Sequence, residues 1–136
     1  MELNSKIFAI IQARMGSTRL PGKILMKIQK KPLLWHIVNR LKQVFRINEV
    51  VIATSNLPID DSVCKFSEQY DIACYRGSEL DVLKRFYDAS VYIKADHLIR
   101  ITGDCPLVDP LIINELINLY ENGSYDFCGI ACGAGV

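Results

Sequence analysis

Short runs of apolar residues alternate along this chain with longer segments in which apolar positions recur every three or four residues. The short runs are bounded by polar residues, a pattern typical of buried β-strands. They occupy residues 7–11, 50–53, 72–75 and 97–101, and residues 125–128 predict the start of a fifth strand. Residues 24–28 predict a further short extended piece.

The longer segments have the apolar spacing of amphipathic helices. In the last of them, Asp109 and Pro110 supply an N-cap and a first helical residue. The adjacent carboxylates of Asp60 and Asp61 provide a favourable helix start, since negative charge is stabilised at a helix N-terminus. The predicted helices run from 32 to 41, from 60 past 66, from 80 to about 92, and from 112 to 120.

Alternation of strands and helices predicts an α/β fold with a mostly parallel, three-layer sheet. In such sheets, ligands bind beyond the carboxyl ends of the strands. Three polar segments directly follow predicted strands: residues 13–23, Thr54–Ser55 and residues 102–104. We therefore expect these segments to converge on one edge of the sheet.

Residues 13–23, the basic loop, have the composition of a polyphosphate-binding loop. Gly16 and Gly22 allow the backbone to approach a ligand without a Cβ in the way. Backbone amides can then bind an anion, while Arg14, Arg19 and Lys23 offset its charge. An ordinary solvated surface loop, rich in Gly and Pro, would have a similar composition, and this alternative stays open.

Two common nucleotide-binding motifs do not account for the basic loop. A Walker-type loop has four residues between its first glycine and a Gly-Lys pair that precedes Ser or Thr. Here five residues separate Gly16 from Gly22, and Ile24 follows Lys23. The dinucleotide fingerprint of three spaced glycines is also absent.

The composition and charge of the chain restrict the kinds of molecule that it can be expected to bind. The 136 residues, half of them hydrophobic, suit one domain with a real core, and 16 basic against 15 acidic residues leave a net charge of +1. No general basic excess, export signal or membrane span of roughly 20 apolar residues is visible. Five cysteines without a CxxC pair indicate reduced thiols. We expect a cytoplasmic protein that binds neither nucleic acid nor membranes.

Five sequence blocks, taken in order across residues 7 to 110, resemble the sugar cytidylyltransferases. The likeness is strongest to the spore coat polysaccharide biosynthesis group. It extends more distantly to the synthetases of CMP-activated 3-deoxy-manno-octulosonate and acylneuraminate. The blocks are IIQARMGSTRLPGKIL, KPLLWHIVNRL, EVVIATS, RGSELDVLKRF and RITGDCPLVDP. One departure is Lys30, where family members usually carry Gly.

The resemblance implies a Rossmann-like nucleotidyltransferase fold that binds CTP and Mg²⁺. A sugar or sugar-acid hydroxyl would attack the α-phosphate, yielding a CMP-sugar and pyrophosphate. Arg14 and Lys23 would be catalytic, and Asp104 would bind the metal, although Gly-Asp is also common in turns. The implied nucleotide-binding residues are Ala13, Arg14, Gly16, Ser17, Arg19, Lys23, Thr54, Ser55, Gly77, Ser78 and Asp81.

Several alternatives accompany this interpretation. Ser and Asp at positions 78 and 81 would serve equally well as helix caps. His36 and His97 are interpreted as structural, and Trp35 as a core or interface residue. Family members are longer, and their later segment supplies much of the sugar pocket, the dimer contacts and a second acidic metal ligand.

We therefore interpret residues 1–136 as one nucleotide-binding domain, the N-terminal part of a longer, possibly dimeric cytidylyltransferase truncated at its C-terminus. The uncharged segment 129–136 is consistent with an interrupted domain or with a flexible tail.

Two other functions fit the same residues. The chain could be a non-catalytic nucleotide-binding module. It could also be a metal-dependent glycosyltransferase that uses a nucleotide-sugar donor, but those enzymes usually carry Asp-x-Asp, and Asp104-Cys105-Pro106 lacks the second acid.

Overall fold

The computed structural model describes residues 5–130, built around one sheet of four parallel strands. The strands are ordered β5-β4-β1-β6, and a separate antiparallel pair is formed by β2 and β3. The bounds are β1 Ile7–Gln12, β2 Lys27–Ile28, β3 Lys31–Pro32, α1 Leu33–Leu41, β4 Glu49–Ser55, α2 Asp61–Gln69, β5 Ala73–Gly77, α3 Val82–Ile93, β6 His97–Thr102 and α4 Pro110–Asn122.

The core lies on both faces of β1, one of the two inner strands. Ala9, Ile10 and Ile11 are completely buried, and their side chains point alternately to the two faces. Helices α1, α2 and α4 pack on the face that contains Ala9 and Ile11. Helix α3 packs on the opposite face, through Phe86 and Ala89. The predicted three-layer α/β fold with a parallel sheet is therefore confirmed.

Residues 24–28 differ from the predicted extended piece. Gly22 adopts a left-handed φ of 71°, and the chain then forms a short 3-10 turn over Lys23–Leu25 before β2 begins. The β2–β3 hairpin turns at Gln29 and Lys30, whose φ angles are 49° and 70°. Positive φ at both turn positions favours glycine, so Lys30 stands at a position whose backbone conformation glycine would adopt more readily.

The predicted strand at 125–128 is wrong. These residues form no strand, and Phe127 is 84% exposed. A strand requires a neighbour that pairs with its N–H and C=O groups, and residues 125–128 pair with none in the part of the chain described. The remaining predicted strands and helices are present.

Two other predictions concern thiols and the C-terminal segment. The described cysteines are all free, and burial raises the pKa of the Cys74 thiol to about 11, so that it stays protonated at neutral pH. Cys132 and most of the segment 129–136 lie outside the described residues. No helix within residues 5–130 is both long and apolar enough to cross a bilayer.

Candidate functional site

A cleft of about 300 Å³ lies at the carboxyl edge of the sheet, between the basic loop and the end of β6. Both segments follow parallel strands, β1 and β6, that pair directly, which brings them to the same edge. Three cations and one carboxylate line the cleft. Its lining is Gln12, Arg14, Gly16, Ser17, Thr18, Arg19, Lys23, Ile24, Thr102, Gly103 and Asp104.

The basic loop is closed by backbone hydrogen bonds. The Ala13 N–H donates to the Ala53 carbonyl at 3.1 Å, which extends the β1–β4 pairing by one residue. The Met15 carbonyl then accepts from the N–H groups of Ser17 and Gly22, both at 2.9 Å. Met15 therefore joins the beginning of the loop to its end, and residues 16–19 between them line the cleft.

Gly103 brings β6 unusually close to β1 at the floor of the cleft. Its N–H donates to the Gln12 carbonyl at 2.8 Å. A Cβ at position 103 would lie 2.5 Å from that same carbonyl oxygen. Only glycine permits this approach, so the position of Asp104 depends on the residue before it.

Lys23 and Asp104 form an ion pair across the cleft. The Lys23 Nζ lies 3.0 Å from Asp104 Oδ2. Hydrogen bonding from Lys23, and then from Thr102, lowers the pKa of the Asp104 carboxyl below its ordinary value. The carboxylate is therefore ionised at neutral pH, and with half of its side chain exposed it remains open to a ligand.

Arg14 connects the basic loop to the segment that follows β5. Its Nη1 lies 2.5 Å from Glu79 Oε1, and both side chains are about one third exposed. Arg19 is exposed and forms no ion pair with any described residue. Two of the three cleft cations therefore have carboxylate partners, and the third, Arg19, is exposed to solvent.

A second arginine lies buried beneath the same segment. The Arg85 Nη1 donates to the Ser78 carbonyl, while its Nε and Nη2 have no hydrogen-bond partner. Burial lowers the pKa of Arg85, and the nearby charge of Arg14 lowers it further. The negative charges of Glu79 and Asp60 oppose these effects, so two acidic and two basic residues interact at this edge.

The predicted base and ribose residues lie at the same edge but do not line the cleft. Thr54 and Ser55 are completely buried at the end of β4. Ser78 and Asp81 lie just before α3, where the Asp81 carboxylate accepts from the Lys84 N–H and the Ser78 hydroxyl oxygen accepts from the Asp81 N–H. Gly77 ends β5, packed against Arg85.

Among the other acidic residues, Asp109 caps α4 as predicted, accepting from the Leu111 N–H. Asp60 occupies the N-cap position of α2, as the predicted helix start requires, but its side chain makes no capping hydrogen bond. It is 1% exposed, and its carboxylate accepts hydrogen bonds from Met15 and Ser55. The cue in the sequence was its position, five residues after the end of a buried strand.

Gln12 and Thr18 were also missed as cleft residues. Gln12 is the last residue of β1 and the only polar one within that strand, which could have indicated it. Thr18 lies within the basic loop between two predicted site residues.

Among residues 5–130, no group of three Asp, Glu, His or Cys side chains is placed to hold a metal ion. Asp104 is the one carboxylate among the described residues that line the cleft.

Comparisons with known proteins agree with this architecture. The chain belongs to the cytidylyltransferase family, whose model matches residues 8–133. Among its relatives is the spore coat polysaccharide biosynthesis protein SpsF of Bacillus subtilis, which is 38% identical over 89% of this chain and 52% of its own length.

Two solved structures share the fold at substantial identity. A cytidylyltransferase from Leptospira borgpetersenii is 36% identical, with a TM-score of 0.84 over 89% of this chain and 51% of its own. A CMP:2-keto-3-deoxy-manno-octonic acid synthetase solved with CTP is 28% identical, with a TM-score of 0.75 over 86% of this chain and 48% of its own. The chain thus spans about half the length of the relatives it matches.

Proposed function

We propose that this chain is the CTP-binding half of an enzyme that transfers CMP from CTP to a sugar or sugar acid and releases pyrophosphate. The observation that carries the proposal is the cleft itself, where three loop cations face one ionised carboxylate. A triphosphate with a divalent cation has the complementary charges. The relatives support cytosine as the base and a cell-surface sugar as the acceptor.

The reaction requires positioning and charge stabilisation more than a covalent group on the protein. The basic-loop amides and Ser17 would bind the triphosphate, together with Arg19. Arg14 and Lys23 would offset the charge that develops on pyrophosphate as the α-phosphate is attacked. The attacking group is the sugar hydroxyl, whose oxygen forms the new bond to phosphorus and loses its proton to solvent while the bond to pyrophosphate breaks.

Asp104 is the residue proposed to hold a divalent cation. Mg²⁺ commonly binds one or two protein carboxylates together with phosphate oxygens and water. An ionised, half-exposed carboxylate beside a phosphate-binding loop fits that donor set. When bound, Mg²⁺ would polarise the phosphoryl oxygens. For the base and ribose we propose the edge residues Gly77, Ser78 and Asp81, with Thr54 and Ser55 supporting them from their buried positions at the end of β4.

Calorimetry with a nucleotide panel tests the proposal directly. With Mg²⁺ present, we expect CTP to bind this chain more tightly than ATP, GTP or UTP. A protein of the relatives' full length should also release pyrophosphate from CTP when given an acceptor sugar acid. Failure of every nucleotide to bind would overturn the proposal. Binding without preference for CTP would overturn its base specificity.

Substituting Glu79 with glutamine should strengthen nucleotide binding. Glu79 competes with phosphate for Arg14, and an ion pair at this exposure contributes little to stability. We expect CTP to bind about two- to fivefold more tightly, the free-energy range of such pairs.

The matched control is Glu121→Gln, which weakens the Arg46–Glu121 pair outside the cleft and should leave CTP affinity unchanged. Weaker binding by the Glu79 variant would instead indicate that Glu79 itself contacts the nucleotide.

A further inference from the structure

We propose that Asp60 is a positioning residue that holds the basic loop in the shape needed to bind phosphate. The proposal rests on the proposed function. The Met15 N–H donates to Asp60 Oδ1 at 2.7 Å. The Ser55 N–H donates to Oδ2 at 3.2 Å, and the Ser55 hydroxyl also donates to Oδ2. One carboxylate therefore joins the loop after β1 to the end of β4.

The contact with Met15 has consequences for the whole loop. The Met15 carbonyl accepts the N–H groups of Ser17 and Gly22, so this one residue fixes both ends of the phosphate-binding segment. Asp60 holds the N–H side of Met15. If that contact is lost, the loop can shift as a unit, and the amides around Gly16 shift with it.

The burial of the Asp60 carboxylate supports its role in positioning the basic loop. A carboxylate that is 1% exposed is costly to bury, and hydrogen bonds from N–H and O–H groups must compensate for its lost hydration. The adjacent Asp61 is different, because its side chain is 56% exposed and forms an ion pair with Arg76. Two neighbouring carboxylates thus have separate functions, and only Asp60 contacts the basic loop.

Ser55 takes part in the same arrangement. Its N–H and hydroxyl both point to Asp60, and its hydroxyl oxygen accepts from the Leu57 N–H at 3.1 Å. These contacts hold the segment after β4 around the carboxylate. The position of the basic loop is therefore coupled to the end of β4, the neighbouring strand in the sheet.

Two variants of Asp60 should have graded effects. Asp60→Ala removes both acceptors and leaves the partly buried Met15 N–H unpaired. Asp60→Asn retains one acceptor oxygen and should behave in between. We expect the alanine variant to bind CTP about ten- to a hundredfold more weakly, the range expected when a buried donor loses a charged acceptor. Asp61→Asn is the matched control and should bind CTP like the unsubstituted chain.

Amide hydrogen exchange of the nucleotide-free protein separates positioning from general instability. If Asp60 positions the loop, exchange in the Asp60→Asn variant accelerates at Met15, Ser17 and Gly22 while the β1 amides stay protected. Equal acceleration throughout β1, or unchanged loop exchange with unchanged CTP affinity, would overturn the proposal. These loop measurements require no nucleotide. Failure of the unsubstituted chain to bind CTP would therefore count against the proposed function and not against this inference.

Discussion

Replacing Asp104 with asparagine should abolish most of the Mg²⁺-dependent part of CTP binding. Asparagine keeps the shape of the aspartate side chain but removes the negative charge that would hold the cation. We expect affinity for CTP in the presence of Mg²⁺ to fall about 10- to 100-fold, a range that even the outer partners of metal ligands reach. In EDTA the effect should be absent or reversed, because the variant has one negative charge fewer facing the triphosphate. Calorimetry with Mg²⁺ and with EDTA measures the affinity for CTP under the two conditions.

The control for this substitution is Asp109→Asn. Asp109 caps α4 without lining the cleft, and asparagine is an equally good N-cap. Its affinity for CTP should not change under either condition. An Asp104→Asn protein that loses affinity equally with and without Mg²⁺ would show that the carboxylate organises the cleft through Lys23 instead of binding a cation.

The second large effect is expected at Gly103. An alanine Cβ would lie 2.5 Å from the Gln12 carbonyl oxygen and 3.3 Å from the Ala13 Cα. Both obstacles are backbone atoms, so β1 and β6 would have to separate where they exchange their last hydrogen bond. We expect a loss of about 3 kcal/mol in the free energy of unfolding, typical of a severe overpacking change. The melting temperature should fall by on the order of 10 °C.

Gly16→Ala is the matched substitution. A Cβ there would meet no protein atom within 4 Å, and Gly16 does not have a positive φ. Its stability should change by less than about 0.5 kcal/mol, as for most surface substitutions. Its CTP affinity should fall about tenfold, because Gly16 lines the cleft and a side chain there would keep the backbone from approaching a phosphate. If Gly103→Ala melted normally, the close approach of the two strands would not be required for folding.

Much of the fold could be predicted because the two inner strands, β1 and β4, have continuous apolar runs and each helix has its own periodicity. Prediction was weaker wherever polar residues are buried. Residues 50–53 marked the second of these strands, yet β4 continues through Thr54 and Ser55, which are as inaccessible as the apolar residues before them. A pattern based on apolar residues ends too early at such positions. The strand predicted at 125–128 had the right composition but lacked a pairing partner, which local sequence cannot supply.

For the candidate site, the sequence indicated the basic loop and Asp104 because the topology of a parallel sheet brings strand ends together. It could not distinguish Asp60 from Asp61, because the two carboxylates are adjacent at the start of α2 and only that of Asp60 is buried. That choice follows from the 3-10 turn at Pro58–Asp60, which directs Asp60 toward Met15. Long-range contacts of this kind are set by packing and leave little trace in local sequence.

The Lys23–Asp104 pair has a thermodynamic consequence. Either a triphosphate or a divalent cation arriving alone must break the pair and leave one charge unmatched. Arriving together, they supply a partner for each, so in the proposed reaction each would raise the affinity for the other by the same factor. The cleft would therefore select nucleotide and metal as a single complex, and released pyrophosphate would leave more readily once stripped of its cation.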